Sequence, residues 1–320
     1  MLYLTEEDVA ALLSMDEAIP EVERALRAHG EGRVVNNPRR HLRLHDGLLL
    51  SLESGDAETG FIGHKNYLAV PGKGVLSHFF LYESKTRAMV AIMRANELGR
   101  IRTGATTGVA VKYLARADAR RHAVFGAGYQ AETQVEAVSR VRPIEHVRVW
   151  SRTMERATAF CERLASRLPE VRIEPLIGDP TEFASWADII TVATRATTPV
   201  LLGKWLRPGV LVNAVGSNAL DRAEIDVEVV TRADRVIVDS LEGAQHESGD
   251  LFPAIERGLL FWGMVRSLSD VVAGFTPSRT HDDEIILFES QGLALEDLAV
   301  GSYLYQKALR VGAGQQIAIE

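Results

Sequence analysis

Cysteine is all but missing from this 320-residue chain; Cys161 is the single thiol. One thiol excludes an internal disulfide and a cysteine-built zinc site. Its place in a helical pattern marks it as a packing residue. Positive charge is not in excess either. A net charge of -7 argues against a nucleic-acid surface, which needs basic patches to neutralise phosphates. No uncharged run is long enough to span a bilayer. The N-terminal MLYLTEEDVAALL lacks the basic segment and long apolar core of a secretory signal, so a soluble cytoplasmic chain is expected. Internal repeats and low-complexity tracts are absent, and no metal site is expected. The composition that remains, 46% hydrophobic and 25% charged, is ordinary for a globular chain. The length suits one large or two moderate domains.

The texture of the chain changes twice. Thr5 and Ser14 read as helix N-caps, and Glu17 stands three positions after Ser14 in capping-box spacing. Ala18, Ile19, Val22, Ala25 and Leu26 then mark one helical face. From Val34 to Ala95 the pattern is β-like. His41–His45 alternates and turns at Asp46-Gly47 into Leu48–Leu50. Phe61–Val70, Val75–Tyr82 and Ala88–Met93 follow as strands of an antiparallel or mixed sheet. Asn96–Arg116 reads as a helix. From Arg121 onward, strands and helices alternate, which predicts a parallel sheet with helices on both faces. The expected strands are His122–Phe125, His146–Trp150, Val171–Glu174, Asp188–Ala193, Leu211–Ala214, Val236–Val238 and Glu284–Phe288. Gly292–Val311 reads as a long apolar helix, closed by Gly312 and Gly314, that returns to the N-terminal part. The expected domains are 1–116 with 292–320, and 117–291.

The first strand of the parallel unit ends in Phe125-Gly-Ala-Gly-Tyr-Gln-Ala131. A G-x-G-x-x-A turn between strand and helix brings backbone N–H groups and a helix N-terminus toward a phosphate. Glycines at such turns also occur for geometry alone. Here the turn opens the first strand of a βαβ series, which is where a dinucleotide fold seats its pyrophosphate. The next strand ends in Trp150-Ser-Arg-Thr153 with no carboxylate for a ribose 2′-hydroxyl. Ser151, Arg152 and Thr153 instead suit a 2′-phosphate. The expected cofactor is NADPH, with NADH as the alternative.

Three cations stand among apolar or small neighbours: Arg40 at the start of a strand, Lys65 in Gly63-His-Lys65, and Arg102 in Ile101-Arg-Thr-Gly-Ala105. A cation on partly buried surface needs an anionic partner. A guanidinium can grip a carboxylate bidentately, and a lysine can complete the clamp or move a proton. Arg39, Arg43 and Lys73 read as ordinary surface or internally paired side chains.

Collinear segments over nearly the whole chain resemble the ornithine cyclodeaminase/mu-crystallin family. They are Arg40-His-Leu; Gly63-His-Lys65; Ile101-Arg-Thr-Gly-Ala-Thr-Thr-Gly-Val-Ala-Val-Lys-Tyr-Leu-Ala115; Phe125-Gly-Ala-Gly-Tyr-Gln-Ala131; Val149-Trp-Ser-Arg-Thr153; Val212-Asn-Ala-Val-Gly-Ser-Asn218; Val238-Asp-Ser240 with Glu247-Ser-Gly-Asp250; and Gly292-Leu-Ala-Leu-Glu-Asp297. The resemblance implies an α/β fold: a Rossmann-type doubly wound parallel sheet plus a discontinuous α+β substrate and dimerisation domain. It places the substrate-carboxylate clamp on Arg40, Lys65 and Arg102, and catalytic roles on Lys65, Arg102 and Asn218. It implies cofactor contacts at Thr103, Gly126, Gly128, Tyr129 and Gln130. Further cofactor contacts are implied at Ser151, Arg152 and Thr153, and at Ala193, Val215 and Gly216. The implied partners are a small imino or keto acid with an amine, and a second copy of the chain.

Two departures from the family narrow its activities. Cyclodeaminases carry an aspartate in the loop where this chain has Asn218, and an amide cannot act as a general base at neutral pH. The same loop lacks their Cys-Pro-Gly-Lys run and reads Ala219-Leu-Asp-Arg222. The loop after Lys65 is short, and Gly74 falls near a position usually held by threonine, where Ser77 or His78 would substitute. With the Ser151-Arg152-Thr153 cradle, these features favour NAD(P)H-dependent reduction of an α-imino acid to an amino acid. That substrate is a cyclic ketimine or the imine of a keto acid and an amine. The rivals are ornithine cyclodeaminase itself and a crystallin-like NADPH-binding protein without turnover.

Overall fold

The computed structural model describes residues 1–176 and 179–318. The chain divides into two compact units, Met1–Thr106 with Gly292–Glu320, and Thr107–Gln291. The division falls inside a helix rather than at 116/117, where the change of period placed it.

The first unit opens with β1 (Leu2–Leu4), α1 (Glu6–Leu12) and α2 (Met15–Gly30). Thr5 caps α1 in a capping box with Asp8. At α2 the Glu17 carboxylate accepts from the Ser14 N–H and hydroxyl. Next come β2 (Val34–Asn36), β3 (Arg40–Arg43), β4 (Leu48–Asp56), β5 (Phe61–Val70), β6 (Gly74–Glu83), β7 (Ala88–Arg94) and α3 (Asn96–Leu114).

The second unit holds β8 (Arg121–Phe125), α4 (Tyr129–Val141), β9 (His146–Trp150), α5 (Met154–Ala165), β10 (Arg172–Pro175) and α6 (Pro180–Trp186). It continues with β11 (Ile189–Val192), β12 (Leu211–Ala214), α7 (Val227–Arg232), β13 (Arg235–Val238), α8 (Leu241–Glu247) and α9 (Phe252–Glu256). It closes with β14 (Arg266–Ser267), α10 (Leu268–Val272) and β15 (Ile286–Glu289); α11 (Ala294–Val311) and β16 (Gln315–Gln316) belong to the first unit.

The first unit's sheet runs β16-β1-β7-β6-β5-β4-β2, with β3 also paired to β4. Only β1–β7 is parallel among its pairs. One face carries Leu50, Leu52, Gly63, Lys65, Ser77, Phe79, Leu81, Ala91 and Met93, all buried. Helix α11 packs on this face and on α2. Two glycines allow the approach. A Cβ at Gly301 would fall 2.3 Å from the Phe79 ring, and one at Gly63 would fall 2.7 Å from it. The ring is therefore wedged between strand and helix. Glu17 ties the same helices together by accepting from Tyr303 and Lys307 on α11.

The second unit's sheet is parallel throughout, in the order β10-β9-β8-β11-β12-β15-β13-β14. The strand order reverses between β8 and β11, which makes that boundary the switch point where such sheets bind ligands. Its core is built on Phe125, with Phe183 and Trp150 at ring separations of 4.9 and 5.7 Å. Buried Cys161 has its thiol pushed up to about 12 by burial, as befits a packing residue. His122 is wholly buried against the Thr191 hydroxyl at 2.9 Å, and burial pushes it down to about 3, so it stays neutral. No helix among the described residues is long and apolar enough to cross a membrane.

Candidate active site

The first unit brings Lys65 and Arg102 together through a residue the sequence reading passed over. Lys65 donates to Asp297 Oδ1 at 2.6 Å, and Arg102 Nε donates to the same oxygen at 3.0 Å. Arg102 Nη1 donates to Glu296 Oε2 at 2.5 Å. All four side chains are buried. Packing explains the meeting. Gly63 and Lys65 share a face of β5, and Lys65 pairs with Phe79 across to β6. Asp297 and Gly301 lie one turn apart on α11. Seating Gly301 on the Phe79 ring thus sets Asp297 over Lys65. On α3, Gly99 is one turn before Arg102, and a Cβ there would come within 3.6 Å of Lys65 Nζ. Gly292 has a φ of +87°, and a Cβ on it would fall 2.6 Å from Arg102 Nη1.

The cluster has spare donors. Lys65 makes one recorded hydrogen bond of the three its ammonium can make, and Arg102 Nη2 makes none among the described residues. Burial pushes Lys65 down to about 8; Asp297 opposes the shift, while Arg102 and Arg39 add to it. Burial opposes the charge on Arg102 too, but Asp297 and Glu296 more than offset it and hold its pKa above the ordinary value. An ammonium near its titration point beside a permanent guanidinium is suited to an anionic ligand and to proton exchange at pH 7–8.

Arg40 is not part of this group. It is exposed on β3, and its register partners Ser51 and Asn66 lie on the sheet face opposite Lys65. Arg39 approaches instead: its Nη2 donates to the Gly292 carbonyl at 3.1 Å, and its charge acts on Lys65. Of the two residues expected to replace a threonine near Gly74, Ser77 is buried on the Lys65 face and His78 lies on the other. The Thr103 hydroxyl donates to Gly99 O at 2.7 Å within α3.

In the second unit the expected cofactor residues gather at the carboxyl ends of strands. Gly126 follows β8 with a φ of +113°, and a Cβ there would fall 2.4 Å from Ala193 O. Only glycine fits. Gly128 is the N-cap of α4 and would meet nothing within 4 Å with a Cβ, so the backbone is open to an approaching anion. Gln130 Oε1 is buried without a hydrogen-bond partner among the described residues. Tyr129 is half exposed, and Ala131 is fully buried where a third glycine would let helix and strand approach. Ser151, Arg152 and Thr153 stand between β9 and α5; Arg152 is exposed with no ion-pair partner among the described residues. Ala193 follows β11, and Val215 and Gly216 follow β12. Asn218 is half-buried in the same loop. This cradle of glycines, a bare helix N-terminus and strand ends fits a dinucleotide.

Glu224 is a second residue the sequence did not single out. It is fully buried, and burial pushes it up to about 8 against the pull of its donors on Thr194 and Gly216. Nothing short-range in the sequence marks Glu224, Glu296 or Asp297, because their partners are distant. For Glu296 and Asp297 the one local sign is that they form an acidic pair at the start of a largely apolar helix.

Known proteins resemble the chain in sequence and in fold. The sequence profile of the Ornithine cyclodeaminase/mu-crystallin family matches residues 1–312. The Delta(1)-pyrroline-2-carboxylate reductase of Bacillus cereus is 34% identical over 326 residues, covering 99% of each chain. The structure of the Thermococcus litoralis Delta(1)-pyrroline-2-carboxylate reductase with NADH and L-proline superposes with a TM-score of 0.94 at 35% identity, covering 99% of this chain and 100% of that one. An archaeal alanine dehydrogenase dimer with bound NAD superposes with a TM-score of 0.92 at 31% identity, covering 100% and 99%.

Proposed function

The chain belongs to the ornithine cyclodeaminase/mu-crystallin family, and from that premise we propose that it reduces an α-imino acid to an amino acid with NAD(P)H. The substrate is a cyclic ketimine or the imine of an α-keto acid and an amine. The observation that carries this reading is the pairing of Lys65 and Arg102 on one Asp297 oxygen with donors to spare. Those donors suit a substrate carboxylate. The bound nicotinamide supplies the hydride. Lys65 and Arg102 bind and orient the carboxylate, and Lys65 holds or returns a proton on the substrate side. Asn218 orients substrate through its amide and takes no proton, which sets the chain apart from an ammonia-releasing cyclodeaminase. The protein's contribution is positioning and electrostatics.

Two finer points belong to the same reading. The phosphorylated cofactor is favoured by exposed Arg152, which has no ion-pair partner among the described residues, and by the absence of a carboxylate after β9. A homodimer is favoured by an apolar row across the first unit's sheet. Leu42, Leu49, Leu68 and Leu76 are cross-strand neighbours on β3 to β6, and Leu42, Leu68 and Leu76 are exposed by 58%, 42% and 46%.

The test is cofactor oxidation, with NADPH and NADH separately, on pyrroline- and piperideine-2-carboxylate. Pyruvate, glyoxylate, oxaloacetate and phenylpyruvate are added with ammonia or methylamine. Oxidation that needs the imine supports the reading. Dinucleotide binding with no oxidation across the panel overturns it in favour of a binding protein. Ammonia release from ornithine with no net NADH overturns it in favour of a cyclodeaminase. In Arg152→Ala the NADPH preference should fall about tenfold, roughly one charge-assisted hydrogen bond.

A further inference from the structure

We propose that Glu224 is a positioning residue that latches together the two loops on which the dinucleotide rests, those following β11 and β12. This rests on the reading of the second unit as a nicotinamide dinucleotide domain. The Glu224 side chain carries one carboxylate oxygen to each loop. Oε1 accepts from the Thr194 N–H at 2.5 Å and from the Thr194 hydroxyl at 2.6 Å. Oε2 accepts from the Gly216 N–H at 2.7 Å. The backbone carbonyl of the same residue accepts from Val200 and Leu201, at the far end of the first loop, at 2.8 and 3.1 Å. One residue thus joins three segments.

The fit around it is close. A Cβ at Gly216 would fall 2.5 Å from both Glu224 carboxylate oxygens and 2.4 Å from Thr194 O. The two loops are therefore drawn together as near as glycine permits. The latch has its own mount. Asp250 Oδ1 accepts from the backbone N–H groups of Glu224 and Ile225 at 2.6 and 3.0 Å. A Cβ at the preceding Gly249 would fall 2.0 Å from Arg222 O. The Glu247-Ser-Gly-Asp250 segment thus supports the loop that carries Asn218 from beneath. Ser217 closes that loop by donating to Arg222 O at 3.1 Å.

Glu224 has no cation among the described residues, and burial pushes it up to about 8, so hydrogen-bond donors alone hold its carboxyl group. Its partners are N–H and O–H donors of backbone and a hydroxyl, so its effect falls on where backbone sits. A latch of this kind acts on cofactor affinity before it acts on chemistry. Glutamine in its place keeps one acceptor oxygen, and its amide N–H₂ then faces an N–H donor on one of the two loops.

The experiment measures the dissociation constants of NADPH and NADH without substrate, by nicotinamide fluorescence, alongside thermal melting. In Glu224→Gln the constant should rise about tenfold, with the melting temperature moved by only a few degrees. Thr194→Val removes one of the three donors, leaves Glu224 in place, and should raise the constant about threefold. Should Glu224→Gln fail to fold, Thr194→Val decides alone. Unchanged constants in the variants that fold overturn the latch, and so does a fall in melting temperature with affinity intact. A wild-type chain that binds neither dinucleotide overturns the domain reading and the latch with it. Wild-type binding with unchanged variants overturns the latch alone.

Discussion

The buried carboxylates at the two candidate sites, one in each unit, are held in opposite ways. In the first, Glu296 and Asp297 face Lys65 and Arg102, charge against charge. In the second, Glu224, Asp250 and Glu289 meet only N–H and O–H donors, and no ion pair holds them among the described residues. An ionic cluster with spare donors can accept another anion by sharing its cations. A carboxylate held by backbone donors fixes the chain's path and offers nothing to a ligand's charge. The difference matches the two proposed tasks: gripping a small acid, and shaping a seat for a large cofactor whose phosphates would be met by backbone and a helix end.

The largest effect should come from breaking the ionic cluster. Arg102→Ala removes the guanidinium that donates to both Glu296 and Asp297, in a site where uncompensated charge costs about 3–5 kcal/mol. We expect a large loss of melting temperature and a fall in kcat/KM of at least about a thousandfold in whatever folds. Arg102→Lys keeps the charge but not the fork, so it should fold and still lose about a hundredfold. A lysine variant with near-native kcat/KM would mean that the fork is not used on substrate.

Gly126→Ala tests the other side with no change of charge. Its φ of +113° and the 2.4 Å approach to Ala193 O leave no room for a methyl group. The turn must shift, at about 1–3 kcal/mol. Dinucleotide affinity should drop roughly thirtyfold while substrate-side kinetics at saturating cofactor change little. Equal losses on both sides would erase the contrast between the units.

A subtler probe is pH. Lys65 titrates at about 8 because burial lowers it while Asp297 supports its charged form. A clamp that needs the ammonium works below that value and fails above it. kcat/KM should therefore be flat to near pH 8 and then fall about tenfold per unit. Asp297→Asn removes the supporting charge, so the descending limb should move to lower pH by about one unit. A limb that stays in place in the variant would separate it from Lys65.

How much of this could be read in the sequence depended on distance along the chain. The glycine turn is local: Phe125 to Ala131 contains strand end, turn and helix start, and the structure agrees with it nearly residue for residue. The strands with clear alternation or buried runs, such as Phe61–Val70 and Leu211–Ala214, were equally plain. Short elements were not. β1, β2, β14, β16 and α7 to α10 run from two to seven residues, too few to show a period, and they exist because neighbours pair or cap them. The substrate side was legible as residue types and not as partners. Lys65 and Arg102 stood out as cations among apolar neighbours, while the carboxylate they share lies 232 and 195 positions away on α11. That separation is closed by Gly63 and Gly301 around Phe79, and no local pattern encodes it.

Arg39 and Arg40 give the smallest expected effect and the finest test of the comparison. Arg39 precedes β3 and Arg40 is its first residue, and only Arg39 is turned toward the cluster. The family resemblance points to Arg40; the backbone turns Arg39 toward Gly292 and Lys65 and leaves Arg40 exposed. Arg39→Ala should raise the substrate KM about tenfold, with little change in kcat, because it weakens the positive field without touching the proton path. Arg40→Ala should change KM by less than about twofold, as surface substitutions do. The reverse outcome would show that β3 shifts register when substrate binds. A one-residue slip of β3 against β4 turns Arg40 to the other face, and in that case the substrate itself would complete the ionic cluster.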